Sequence, residues 1–175
     1  MCTVTSSPDP ALTRDEMVST GSERDVLEAF LDLYRDVVVR KVAGLSSDSA
    51  GRRLVASSTT LAGIVKHLTS VEREWFASVL SQKPASEVGV RVADDGWHVD
   101  PSDDLDALIA DYRHACAQSR QVAARFQLDD TVPQARLGRV SLRWIYVHMI
   151  EETARHAGHA DILRELTDGA TGFDG

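Results

Sequence analysis

The sequence predicts an all-α protein built as a four-helix bundle. Three observations carry that expectation. Apolar residues recur at the i, i+3, i+4 spacing of an amphipathic helix in four long segments. No segment shows a persuasive period-two alternation of a half-buried strand. Capping residues and glycines fall at the ends of the periodic segments.

Taken in order, residues 1–21 are rich in Ser, Thr, Pro and Asp and lack periodicity, so they read as a disordered N-terminal tail. Residues 22–175 read as one domain. Ser22 suits the N-cap of the first helix, in which Val26, Leu27, Phe30, Leu31, Tyr34, Val37 and Val38 keep helical spacing. Gly44 closes it, and residues 45–55 read as a turn or short helical piece. Thr59 or Thr60 caps the second helix, with Leu61, Ile64, Val65, Leu68, Val71, Trp75, Phe76 and Val79 on its buried side. Residues 82–101 form a long loop containing Trp97 and His98, and loops of that length in a compact domain often carry function. Ser102, Asp103 and Asp104 start the third helix, where acidic residues meet the positive end of the dipole. That helix carries Leu105, Leu108, Ile109, Tyr112, Cys116 and Val122 and ends near Phe126. Residues 129–139, with Pro133 and Gly138, read as a polar loop. Ser141 opens the last helix, which runs to about Leu166 and is stopped by Gly169.

The bulk numbers narrow the function. At 175 residues, with 43% hydrophobic and 26% charged residues, the chain suits one ordinary globular domain. A net charge of −8 argues against a broad electrostatic grip on nucleic acid or anionic lipid. No apolar run approaches the roughly 18–20 residues of a membrane span. The N-terminus lacks the basic-then-apolar order of a secretion signal. With Cys2 in a polar tail and Cys116 in a helix, a reduced, cytoplasmic setting fits better than a disulfide framework.

The richest stretch is the last helix, SLRWIYVHMIEETARHAGHADILRELTDG, with three of the chain's six histidines and two adjacent glutamates. At about 100° per residue, Leu142, Ile145, Met149, Ala160 and Leu163 define its apolar face. His156 falls in the middle of that face and Glu152 about 40° to one side. Such groups are expensive to bury unless they are paired or bind a metal. His67, in VKHLTSVEREWF, flanks the apolar stripe of the second helix. Together His67, Glu152 and His156 make a candidate two-histidine, one-carboxylate site, and three protein ligands leave a coordination position open. Zinc suits this set, and iron or nickel would fit it too. A hydrogen-bonded Glu152–His156 core pair is the competing reading of the same spacing. The zinc-protease signature HExxH is absent, because the glutamate precedes His156 by four.

His148 and His159 lie on the polar side of the same face, as alternative ligands, acid/base groups or substrate contacts. Arg143 and Arg155 are candidates for binding a carboxylated substrate or cosubstrate, with surface ion pairs as the plainer reading. His98 and His114 have no supporting neighbours, and no base is placed near Cys116 to make it a nucleophile.

Three blocks, LYRDVVVRKVAGLS, TLAGIVKHLTSVEREWF and SLRWIYVHMIEETARHAGHADILRELTDGATG, resemble the DinB-like (DinB/YfiT) superfamily, specifically its DUF664 branch. The resemblance runs from about Glu23 to Gly172. It implies a four-helix bundle, commonly a homodimer, that holds one divalent metal. Many members carry a His-x3-His pair on the last helix, and here the first of those positions is Glu152. A His, Glu, His set is similar to that of mycothiol-dependent maleylpyruvate isomerase, so the resemblance carries His67, Glu152 and His156 over as ligands.

The characterised relatives include thiol S-transferases and thiol-dependent isomerases, but membership alone does not supply the reaction. The chemistry expected is activation of a low-molecular-weight thiol such as mycothiol for attack on an electrophilic small molecule, giving a thioether. His148 or His159 would serve as acid/base or thiol anchor. A thiol-dependent isomerase, a metal-dependent hydrolase and a non-catalytic, metal-binding dimeric module remain open beside it.

Overall fold

A computed structural model describes residues 12–90 and 97–172. It is mainly helical, as expected. Of the expected tail, residues 1–11 lie outside the described residues, while Arg14–Met17 forms a one-turn helix, α1. Thr13 N donates to Glu16 Oε2 at 2.8 Å, and Arg14 reaches Asp32 at 2.9 Å.

Helix α2 spans Glu23–Val42, and Ser22 caps it by accepting from Asp25 N. Glu23 and Asp25 lie in its first turn and Arg40 and Lys41 in its last, each favourable to the dipole. A short α3, Ser47–Gly51, follows. Helix α4, Leu61–Glu72, begins where Thr60 Oγ1 accepts from Gly63 N at 3.0 Å. Eleven of its twelve residues are buried, which makes it the central helix of the bundle. His67 is the exception.

The periodicity predicts that this helix stays α-helical to Val79. Instead it passes at Arg73 into an eight-residue π-helix, Arg73–Leu80. The wider winding buries Trp75, Phe76 and Leu80 together, although Trp75 and Leu80 are five residues apart. Within the expected long loop, Ala85–Glu87 makes one 3₁₀ turn, and residues 91–96 are outside the described residues. Helix α5, Leu105–Ala123, is capped by Asp104, which accepts from Ala107 N at 2.9 Å.

Residues 129–139 correct the expectation of a loop without strands. Strands β1, Thr131–Gln134, and β2, Gly138–Ser141, pair antiparallel with Val132 opposite Val140. Both valines are buried. One apolar residue per four-residue strand is too little pattern to read in sequence. Pro133 is tolerated because both strands of a two-stranded ribbon are edges. Helix α6, Leu142–Asp168, starts at Ser141, whose Oγ accepts from Trp144 N. Gly169 ends it with φ +80°, donating its N–H to Glu165 O at 2.9 Å.

Two apolar clusters fill the bundle. One joins Val38, Ile64, Leu68, Tyr112, Ala160 and Leu163. The other joins Leu31, Phe76, Val132, Leu142, Ile145 and Met149. Each fully buried Val, Leu, Ile, Phe or Met side chain among them contributes about 1.5–3 kcal/mol. Among the described residues no helix is long and apolar enough to cross a membrane.

Candidate metal centre

Glu152 and His156 are one turn apart on α6, so the helix itself sets both side chains on one face. That face meets α4, which presents His67. His67 Nε2 donates to Glu152 Oε1 at 3.0 Å, and His156 Nε2 approaches the same oxygen at 3.2 Å. The three side chains offer one donor atom each, all within 4.8 Å of one another. His156 is buried, while His67 and Glu152 are partly covered. Hydrogen bonds from His156 and then His67 hold the Glu152 carboxyl well below the usual carboxylate range, against the opposing effect of burial.

An anionic oxygen between two imidazoles is a donor set that fits a divalent first-row cation. The group could hold a metal ion in that way.

The surroundings pin these groups. His159 Nδ1 lies 3.3 Å from His156 Nδ1, so one ring nitrogen donates to the other and fixes the orientation of His156. Trp97 stacks on His67 with ring centroids 4.1 Å apart and planes 15° apart, and lies 5.1 Å from the His156 ring. Its backbone passes so close to α4 that a Cβ on Gly63 would stand 2.9 Å from Trp97 O. Glycine is required there for close approach. Lys66, the buried neighbour of His67, holds Asp103 at 2.6 Å and so ties the segment after Trp97 to α4.

Two cavities lie against residues that touch the group, one against Trp97 and the other against His159. One, of about 290 Å³, is bounded by Trp97, Arg53, Ser58, Thr60 and His98. The other, of about 380 Å³, is bounded by His159, Val55 and Ile162. The role of Trp97 went unread in sequence, where its only signal is a large aromatic inside a polar loop. His98, read as unsupported, lines a cavity beside Trp97.

The other candidates separate. His148 packs against Trp144 and Trp75, with ring centroids at 5.1 and 4.6 Å, and its Nδ1 is 4.0 Å from Glu151. It is not brought into the group. Arg143 pairs with Glu23 at 2.5 Å and with Asp129, both on the surface. Arg155 pairs with Glu151, one turn back on α6. Neither guanidinium is directed at His67, Glu152 or His156. His114 lies in a groove of about 700 Å³ between the π-helix and α5, lined by Arg73, Lys83 and Arg125. Cys116 is a buried free thiol whose ionisation is pushed far up by burial, so it does not supply a thiolate.

A search of curated proteins returns no match. A family model described as mycothiol-S-transferase matches residues 26–169, which takes in α4, α6 and all three members of the group. The chain therefore belongs to the mycothiol-S-transferase family, a DinB-like family.

Proposed function

We propose that the protein is a metal-dependent thiol S-transferase. In this reading His67, Glu152 and His156 hold one divalent cation, zinc first with nickel or iron as alternatives. The cosubstrate is a low-molecular-weight thiol such as mycothiol, and the acceptor an electrophilic small molecule. The carrying observation is the meeting of two imidazole nitrogens and a carboxylate oxygen between α4 and α6, beside two cavities of substrate size.

When bound, the cation would lower the pKa of the cosubstrate thiol so that its thiolate is available at neutral pH. The chain's own residues do the rest. Glu152 stays ionised at neutral pH and so offers a permanent negative oxygen. With the cation bound, His159 would accept the proton of His156 Nδ1, which would leave the His156 Nε2 lone pair free for that cation. Trp97 covers one face of His67, holding the ring and keeping water from that side. In the reaction sulfur forms a bond to the electron-poor carbon. The thiol proton leaves with the departing group, or goes to the neighbouring carbon in an addition. His159 is better situated than His148 for moving that proton, since it lines a cavity and touches His156.

A cytoplasmic setting and a homodimer belong to the same reading. Scarce cysteine supports the first, and exposed Trp144 and Val147 on α6 offer a second copy something to cover.

The test is to incubate zinc-loaded protein with mycothiol, bacillithiol, glutathione and cysteine against monochlorobimane-type electrophiles, with products read by mass spectrometry. A mycothiol conjugate formed faster than without protein is the expected result. No conjugate with any thiol would favour a non-catalytic, metal-binding module.

A further inference from the structure

Resting on the transferase reading, we propose that the cavity beside His159 is the acceptor subsite and that it takes an electrophile with an apolar body. The cavity is formed where the chain between α3 and α4 faces the C-terminal half of α6. Val55, Ser57 and Thr59 make one wall, and His159, Ile162 and Leu163 the other. At about 380 Å³ it has the size of a small-molecule site.

Two of its apolar side chains are exposed where burial would be favourable. Ile162 is 58% exposed and Val55 38%, whereas Leu163 forms a buried floor at 3%. A small apolar body between these walls removes that surface from water, at about 25 cal/mol per Å². The wall also contains the exposed imidazole of His159, whose Nδ1 contacts His156. His159 therefore both lines this cavity and touches a member of the ligand group.

The other cavity has a different character. Arg53, Ser58, Thr60 and His98 line it together with Trp97 and Val99, and the Arg53 guanidinium is spent on the backbone carbonyls of Ala56 and Ser57 rather than on a carboxylate. Both cavities carry hydroxyls, but only the one beside His159 is walled by aliphatic side chains, Val55 and Ile162, that stand open to water. Of the two cavities, the one beside His159 is thus the one that fits an apolar acceptor.

For an enone acceptor the step balances without any further reactant. Sulfur bonds to the terminal vinyl carbon, the double-bond pair moves to the carbon next to the carbonyl, and that carbon takes the thiol proton. The product contains every atom of both substrates.

The experiment pairs binding with turnover. Affinities of unreactive 2-alkanones, from four to eight carbons, are measured by NMR on the full chain. The kcat/KM values of the matching alkyl vinyl ketones are measured with mycothiol on the zinc-loaded protein. Both should rise by about three- to fourfold per methylene until the cavity is full. Ile162→Ser, at an exposed position, should flatten both slopes, and Val55→Ser should do so independently. A flat series, or slopes unchanged in both variants, overturns the proposal. If alkanone affinity rises with chain length while no conjugate forms with any thiol, the cavity binds apolar ligands but the transferase reading and the acceptor role both fall. If Ile162→Ser instead turns a dimer into monomers with the slopes intact, that side chain serves a second copy and the proposal fails.

Discussion

Among the described residues, two groups of carboxylates sit between helices, one met by arginines and the other by histidines. Between α2, α4 and α5, Glu72 accepts from Arg35 Nε at 2.7 Å and from Nη2 at 2.6 Å. Arg35 also reaches Asp32 at 2.9 Å, and Asp32 is shared with Arg120 at 2.7 Å and Arg14 at 2.9 Å. Between α4 and α6, Glu152 is met by two histidines instead. Arginine is a donor with no lone pair and keeps its proton, so the first cluster can only remain an ion pair. Imidazole can exchange its proton for a cation. Enclosure differs as well: the Arg35 and Glu72 side chains are 4% and 1% exposed, whereas those of His67 and Glu152 are 19% and 17% exposed. The same kind of acidic side chain thus serves as a structural tie in one place and as a ligand group in the other.

The largest effect that would break this comparison is expected at the arginine cluster. Arg35→Ala leaves Glu72 buried without its partner and should cost about 3–5 kcal/mol. For a domain of this size that lowers Tm by on the order of 10 °C. Zinc bound per folded chain should be unchanged, as read by calorimetric unfolding and metal analysis. A loss of zinc without loss of stability would mean that the two clusters have been assigned the wrong way round.

Next in size is Gly63→Ala. The added Cβ would meet Trp97 O at 2.9 Å, so the Trp97 segment must shift away from α4 and from its stack on His67. Metal affinity should fall by about 10-fold, the scale seen for groups that orient a ligand. Stability should fall much less than in Arg35→Ala. An unchanged affinity would show that the indole plays no part in holding the histidine.

The smallest effects belong to the surface pairs. Arg143→Ala and Arg155→Ala each remove exposed ion pairs, for which the typical contribution is about 0–1 kcal/mol. Zinc affinity and the KM for thiol should both remain within twofold of wild type. A tenfold rise in KM for thiol would restore these arginines as cosubstrate contacts and sharpen where the polar end of the thiol lies.

The histidine cluster was legible in the sequence because helix periodicity fixes directions. Glu152 and His156 share a face by spacing alone, and both fall beside Met149 and Ala160 on the core side. The arginine cluster was not legible. Arg35 and Glu72 lie 37 residues apart on different helices, and a charge in an amphipathic pattern ordinarily reads as solvated. Trp97 was hidden for a related reason, since its contact with His67 depends on how a loop returns to α4. The π-winding at Arg73–Leu80 keeps Trp75 and Phe76 inside but buries Leu80 where α-helical periodicity expects Val79, which is only partly buried. The β1–β2 hairpin offers only Val132 and Val140 as pattern.

Metal content tests the ligand assignment most directly. Wild-type protein loaded with zinc, dialysed and analysed by elemental mass spectrometry should retain one ion per chain. Glu152→Ala should bind zinc at least tenfold more weakly, with its helical circular dichroism preserved. Full retention of zinc in that variant, or none in the wild type, would contradict the assignment of His67, Glu152 and His156 as the ligands.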